Sequence, residues 1–297
     1  MRLMNNPGSN LSDDLVRRYG VTVLPQRITV DGVNHDTRQN ISQETVDTWA
    51  ATAKKWPTAI GTTAAETIQA FTDVVKEGER EIVVVTTSRK IINSHHGAEV
   101  AARTFLATPQ GKDVRIAVVD SGVTDIGAAA CCIVAGEAMR AGLAFDDVVA
   151  ATTAAAAKQE MAVAVATLDN LVKGGRAGFL RAFVADIIGK RPVLGFADGE
   201  LAVVDTWSRR GDMLERLAAR LRSRVPKGRR VLLGIGHSAD KSAAWRLQEL
   251  LKDHFTIVAA YQRPIAVGVY LHAGPGALSA AVMPIDDLPW FPNNLEF

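Results

Sequence analysis

The chain has 297 residues, of which 34 are basic and 32 acidic, a formal net charge of +2. So small an excess argues against a dedicated nucleic-acid binder, which carries a marked basic surplus. Hydrophobic residues make up 47% of the sequence, enough for substantial cores in one large domain or two of ordinary size.

The N-terminal segment Met1–Pro7 has no apolar stretch of signal-peptide length, and no segment reaches the roughly 18 uninterrupted apolar residues of a membrane span. Cys131 and Cys132 are adjacent, so on a helix they diverge, and they show no metal-ligand spacing. Two small buried thiols and a reducing, cytoplasmic setting are expected.

In chain order, Thr63-Ala64-Ala65-Glu66 has the form of a capping box and predicts a helix running toward Val75. The runs 81–87 (EIVVVTT) and 114–120 (VRIAVVD) are continuously apolar, as expected of central strands buried on both faces. Between them, His95-His96 lacks the spacing of a metal pair and is expected either to line a cleft at a helix start or to face solvent. Asp120-Ser121-Gly122 occurs once, whereas aspartic-protease chemistry needs two carboxylates; it is expected to cap the next helix. Asp146 is expected to cap a helix through Val148, Val149 and Thr152. A strand is predicted at 161–167. Gly174-Gly175-Arg176 lacks the P-loop pattern and reads as a turn displaying Arg176.

Leu180, Phe183, Val184, Ile187 and Ile188 form one apolar helix face, and Met213, Leu214, Leu217 and Leu221 form another. Asp198-Gly199 between two apolar segments predicts a β-hairpin over 191–205. The basic residues from Arg220 to Arg230 interleave with a leucine stripe and read as a solvated helix face. Runs 230–236, 256–262 and 266–272 read as strands. His237-Ser238-Ala239-Asp240 holds triad residue types too close together for triad geometry, and Ser238 is expected as a helix N-cap. His272 is expected to end an apolar strand before the tight turn Gly274-Pro275-Gly276. It faces a ligand at a strand end or is satisfied by the turn's backbone. Strand–helix alternation gives an α/β protein of two domains, 1–160 and 161–297, with largely parallel sheets and the hairpin in the second.

The segments YGVTVLPQRITVDG (19–32), VVDSGVTDIG (118–127), TLDNLVKGGRAG (167–178), IIGKRPVLGFADGEL (187–201) and HAGPGAL (272–278) together carry a resemblance. Over nearly its full length the chain resembles the DegV family. The resemblance implies two α/β domains around an apolar tunnel that holds one long-chain fatty acid or related lipid. It implies no cofactor or metal and no catalysis by the protein itself: the lipid is presented to a separate ATP-dependent fatty acid kinase. Arg176, in the Gly-Gly-Arg loop, is implied as a partner contact.

The head-group set departs from the family's pattern. The family's Asp-Ser-Thr near the N-terminus matches Asn6-Pro7-Gly8, its carboxylate-binding threonine stands as Ala59, and its carboxylate-binding serine as Ile92. His272 and the following Gly274 are kept. Thr58, Thr62, Ser94 and His95, close to the lost hydroxyls, are the expected substitute donors. A DegV-fold protein that binds a different small ligand, or acts on one as an enzyme, is the alternative.

Overall fold

The computed structural model describes residues 1–176, Gly178, 190–208 and 213–297. The helix expected on Leu180, Phe183, Val184, Ile187 and Ile188 lies outside the described residues. The elements, in chain order, are β1 (Arg2–Asn5), α1 (Asp13–Tyr19), β2 (Thr22–Val23), β3 (Arg27–Val30), β4 (Val33–Asp36), α2 (Gln43–Thr52), β5 (Thr58–Ile60), α3 (Ala64–Lys76), β6 (Glu81–Thr86), α4 (Ser94–Leu106), β7 (Arg115–Asp120), α5 (Asp125–Arg140) and α6 (Phe145–Lys158). Then follow β8 (Glu160–Ala164), α7 (Asp169–Lys173), β9 (Arg191–Ala197), β10 (Glu200–Trp207), α8 (Met213–Arg224), β11 (Arg230–His237), α9 (Lys241–Lys252), β12 (Thr256–Pro264), α10 (Val267–Ala273) and β13 (Leu278–Pro284).

Two main sheets do not interleave along the chain. The first, in the order β2-β1-β6-β7, is parallel throughout. The second has the order β10-β9-β8-β13-β11-β12, and there the parallel pairing is confined to β11 and β12. A small antiparallel sheet, β4-β3-β5, stands beside the first. The layers follow from which faces are apolar. Helices α3 and α4 cover one face of the first sheet through Phe71, Val74, Ala101 and Phe105. Helices α8 and α9 cover the outer face of the second through Leu217, Leu221, Leu247 and Leu251. Between the sheets runs a shared core in which α5 is the central element, with Val83 and Val85 on one side and Val163, Leu232 and Ala281 on the other.

Every residue of α5 from Asp125 to Ala138 is buried, so its sequence has no polar stripe; small residues let both sheets close on it. The contact is tightest at its N-terminus. A Cβ on Gly234 of β11 would stand 2.2 Å from Ile126, and one on Gly236 would stand 2.5 Å from the Asp125 carboxylate. Asp125 has φ +50° and is fully enclosed. Its carboxylate accepts hydrogen bonds from Asn10 Nδ2 (2.7 Å), the Ala266 amide (3.0 Å) and Ser279 Oγ (2.6 Å), groups that follow β1, precede α10 and lie on β13.

Several local expectations hold. The capping box at Thr63 and Glu66 is formed in both directions. Asp198 and Gly199 turn the β9–β10 hairpin with φ of +49° and +79°, as a two-residue primed turn requires. Others are corrected. The run 266–272 is not a strand but leads into α10, because a short run that is apolar throughout has no period to separate strand from buried helix. Ser238 does not cap α9: its hydroxyl donates to Ala277 O, and Asp240 takes the cap by accepting from the Ser242 and Ala243 amides. Asp120 does not cap α5; it closes a turn onto the Gly122 amide (2.9 Å) and holds Arg89. Ala144, not Asp146, is the N-cap of α6; Asp146 sits within the first turn, where the dipole favours it, and pairs with Arg115.

Asp125→Ala leaves three buried donors unsatisfied at roughly 1–3 kcal/mol each. The expected result is a loss of about 3 kcal/mol or more in urea unfolding at unchanged m-value, with Asp125→Asn recovering more than half. A loss below about 1 kcal/mol would show that the carboxylate does not hold the sheets together.

Candidate functional site: an apolar cavity between the sheets

A cavity of about 90 Å³ lies between the two sheets. The first half of the chain lines it with Gly8, Gln26, Ala59, Thr87, Ile91 and Ile92, and the second with Val163, Leu194, Phe196, Leu201, Val269 and His272. Phe196 and Leu201 come from the β9–β10 hairpin. The tip of that hairpin is fastened to the first half: Ser88 Oγ donates to Gly199 O (2.6 Å), and Lys90 pairs with Glu200 (3.2 Å). Ala59 and Ile92 thus form part of an apolar wall.

His272 lies in the last turn of α10 rather than at a strand end. Both of its ring nitrogens are buried without a partner, so the turn's backbone does not satisfy it. Burial, and then the nearby Arg176 guanidinium, depress its pKa to about 4, so the ring is neutral at ordinary pH. The Gly-Gly-Arg turn exists to admit this ring. A Cβ on Gly174 would stand 2.4 Å from His272 Nδ1, and Gly175 takes φ +71°, a conformation that favours glycine. Arg176 lines the cavity and donates to Gly174 O (3.2 Å). On the other side, Gly274 has φ +74° and ψ −179°, which only glycine adopts readily, and a Cβ there would meet Asn170. The Asn170 amide in turn donates to Leu271 O (3.2 Å). The two glycine motifs, about 100 residues apart in sequence, are therefore two sides of one histidine socket.

The expected substitute donors fall elsewhere. Thr58 is exposed on β5. The Thr62 hydroxyl donates to Pro25 O (2.7 Å), and Ser94 Oγ accepts from the Thr62 amide (3.3 Å). His95 is buried at the start of α4 with Nδ1 2.9 Å from Thr86 Oγ1; burial lowers its pKa. None of the four lines the cavity, whereas His272 and Arg176 do. Two polar residues that were not singled out in the sequence do so as well. Thr87 is 2% exposed with its hydroxyl unpartnered among the described residues, and Gln26 is 6% exposed. Asn6 Oδ1 and Ser9 Oγ, also buried and unpartnered, belong to the same stretch after β1. The only hint in the sequence is that Thr87 follows an apolar strand. No group of three or more His, Cys, Asp or Glu side chains is placed to hold a metal among the described residues. No described helix is long and apolar enough to cross a membrane.

The fold and site define an α/β protein of two main sheets with an apolar cavity between them and a few unsatisfied polar groups on its wall. Residues 6–284 match the model of an uncharacterised protein family, DegV, and the chain belongs to that family. It is 22% identical over 269 residues to a DegV domain-containing protein of Caldanaerobacter subterraneus, covering 91% of this chain and 93% of that one. It is 27% identical over 285 residues to one of Mycobacterium tuberculosis, covering 94% and 96%. Among solved structures it is similar to a DegV family protein of Thermus thermophilus described by its fatty acid binding (TM-score 0.86, 22% identity, 96% and 99% covered). It is also similar to the Fatty Acid Kinase (Fak) B3 protein of Streptococcus pneumoniae, loaded with linoleic acid (TM-score 0.81, 19% identity, 95% and 99% covered).

The His272 shift gives a signed expectation. The folded protein keeps the ring neutral while the unfolded chain takes up a proton below about 6.5, so this residue's contribution to stability is lost as pH falls from about 6.5 toward 4. NMR of the labelled imidazole should show a midpoint near 4, raised by Arg176→Ala. A midpoint at 6 or above in the folded protein would mean that the ring is solvated.

Proposed function

We propose that this protein is a non-catalytic fatty-acid carrier that presents its lipid to an ATP-dependent kinase. The observation that carries the reading is the cavity itself: an apolar recess between the sheets whose wall bears the Thr87 hydroxyl and His272 imidazole, unpartnered among the described residues, beside the Arg176 guanidinium. An acyl chain gains about 0.8 kcal/mol per buried CH₂. A buried carboxylate needs donors to stay ionised, and these three groups supply them in place of the hydroxyls absent at Ala59 and Ile92. We assign Thr87, Arg176 and His272 to the head group, and propose that the two units meet at the cavity with their boundary near residue 160. His272 is held by Gly174 and Gly274 rather than by a direct hydrogen bond, so its ring nitrogens are free for the ligand. At about 90 Å³ the cavity is well below the roughly 300–1,000 Å³ of ordinary ligand pockets. Loading a long acyl chain therefore requires wall side chains such as Ile91, Ile92, Phe196 and Leu201 to turn aside.

Mass spectrometry of the purified protein, native and then denatured with organic extraction, should release about one fatty acid per chain. Ile92→Trp should remove that fatty acid without loss of fold, and Thr87→Val should weaken fatty-acid binding about tenfold. A protein that is lipid-free as purified and unshifted by added fatty acids overturns the reading.

Arg176 is proposed to serve both the carboxylate and the docking kinase. Lipid retention and kinase capture, measured separately on Arg176→Gln, tell the two roles apart. Capture lost with lipid retained assigns docking, lipid lost assigns the head group, and neither lost removes Arg176 from the function.

A further inference from the structure

A second recess, of about 670 Å³, lies on the far side of Gln26 and Gly268, the two residues it shares with the apolar cavity. It opens where the carboxyl ends of parallel strands from both sheets face each other. β11 ends there at His237 and β12 at Pro264, opposite the chain that follows β1 and β2. Carboxyl ends of parallel strands are where open α/β sheets take polar ligands.

The lining of this cleft is basic and incompletely paired. His237 is 5% exposed, with Nδ1 buried and unpartnered. Arg263 has a buried Nε without a partner, and Lys241 at the start of α9 is exposed. Neither cation is ion-paired among the described residues. Lys241 lies close enough to depress the pKa of His237, behind burial as the larger cause. Arg38, also in the lining, is committed to Asp36, and Asp13, the acid of the lining, sits in the first turn of α1, where the helix dipole offsets it. Ala239, between His237 and Lys241, is held at φ +36°, and its amide is fixed by Gln43 Oε1 (3.1 Å). Backbone held this way fixes the loop that carries His237 and Lys241.

We propose that this cleft is a binding site for a phosphate monoester, with Lys241 and Arg263 meeting the charge and His237 Nδ1 completing the hydrogen bonds. Arg263 also meets the Tyr261 hydroxyl, but neither it nor Lys241 has an ion-pair partner among the described residues, and two such cations suit a dianion better than a single carboxylate. None of the three residues lines the apolar cavity, so the site does not depend on the fatty-acid reading. The shared wall at Gln26 allows the phosphate to belong either to a soluble ester or to a lipid whose chain enters that cavity.

The test is NMR titration of the labelled full chain at constant ionic strength with glycerol 3-phosphate and, in parallel, with a 1-acyl-glycerol 3-phosphate. Saturable shifts at residues 237–241 and 263–266 are expected, weakened about tenfold or more in both Lys241→Gln and Arg263→Gln. Lys241 is exposed and its substitution leaves the fold intact. If the acyl ester binds at least about tenfold more tightly and Ile92→Trp removes that margin, the phosphate is a lipid head. Equal binding of the two esters assigns a soluble one. Absence of saturable shifts up to about 50 mM of either ester, or shifts unchanged in the two variants, overturns the proposal. Failure of the fatty-acid reading would leave the glycerol 3-phosphate arm untouched.

Discussion

The architecture depends on the Asp125 carboxylate. It sits at the N-terminus of the helix that both sheets enclose and takes hydrogen bonds from the segment after β1, the start of α10 and β13. Burial pushes its pKa up, and the donors around it act in the opposite direction. Gly236 is bare because a side chain there would collide with this carboxylate and with Ser279. A single buried carboxyl group thus sets the spacing between two otherwise separate sheets. Both recesses depend on that spacing, since Asn10 and Ala266, two of its donors' residues, line the polar cleft.

The apolar cavity follows from the same closure. Its wall is built from both halves of the chain and covered by a hairpin whose tip is tied to Ser88 and Lys90. The polar groups on it include a hydroxyl and an imidazole unpartnered among the described residues, and a guanidinium that adds to burial in keeping that imidazole neutral. Unmet buried polarity costs free energy in the empty protein, and a ligand head group relieves that cost. The glycines of the Gly-Gly-Arg and Gly-Pro-Gly motifs act through His272. They clear space for His272 and hold it.

Much of this was legible in order along the chain. The capping box at Thr63 and the Asp198-Gly199 hairpin depend on contacts within a few residues, so local chemistry sufficed. The continuous apolar strands β6, β7 and β11 were readable for the same reason, as was the family resemblance carried by the two glycine motifs. The segment 266–272 was misread because an all-apolar run has no period; it becomes a helix where its amide meets Asp125, 141 residues earlier. The caps at Ser238 and Asp146 were each misplaced by two residues: Asp240 takes the amides of α9, and α6 begins at Ala144 without a side-chain cap.

The sequence by itself determined the α/β class, the Thr63 capping box, the Asp198-Gly199 turn, and the presence of a histidine beside glycine-rich turns, because each is specified by neighbours along the chain. Which polar groups stand free was decided only by the tertiary structure. The Thr62 hydroxyl is taken by Pro25 O, Ser94 Oγ by the Thr62 amide and His95 Nδ1 by Thr86, while Thr87 and Gln26, unremarkable in the sequence, face a cavity. The physical reason is that a hydrogen-bonding group becomes a binding group by lacking a partner. Partners are assigned across distances the sequence does not display.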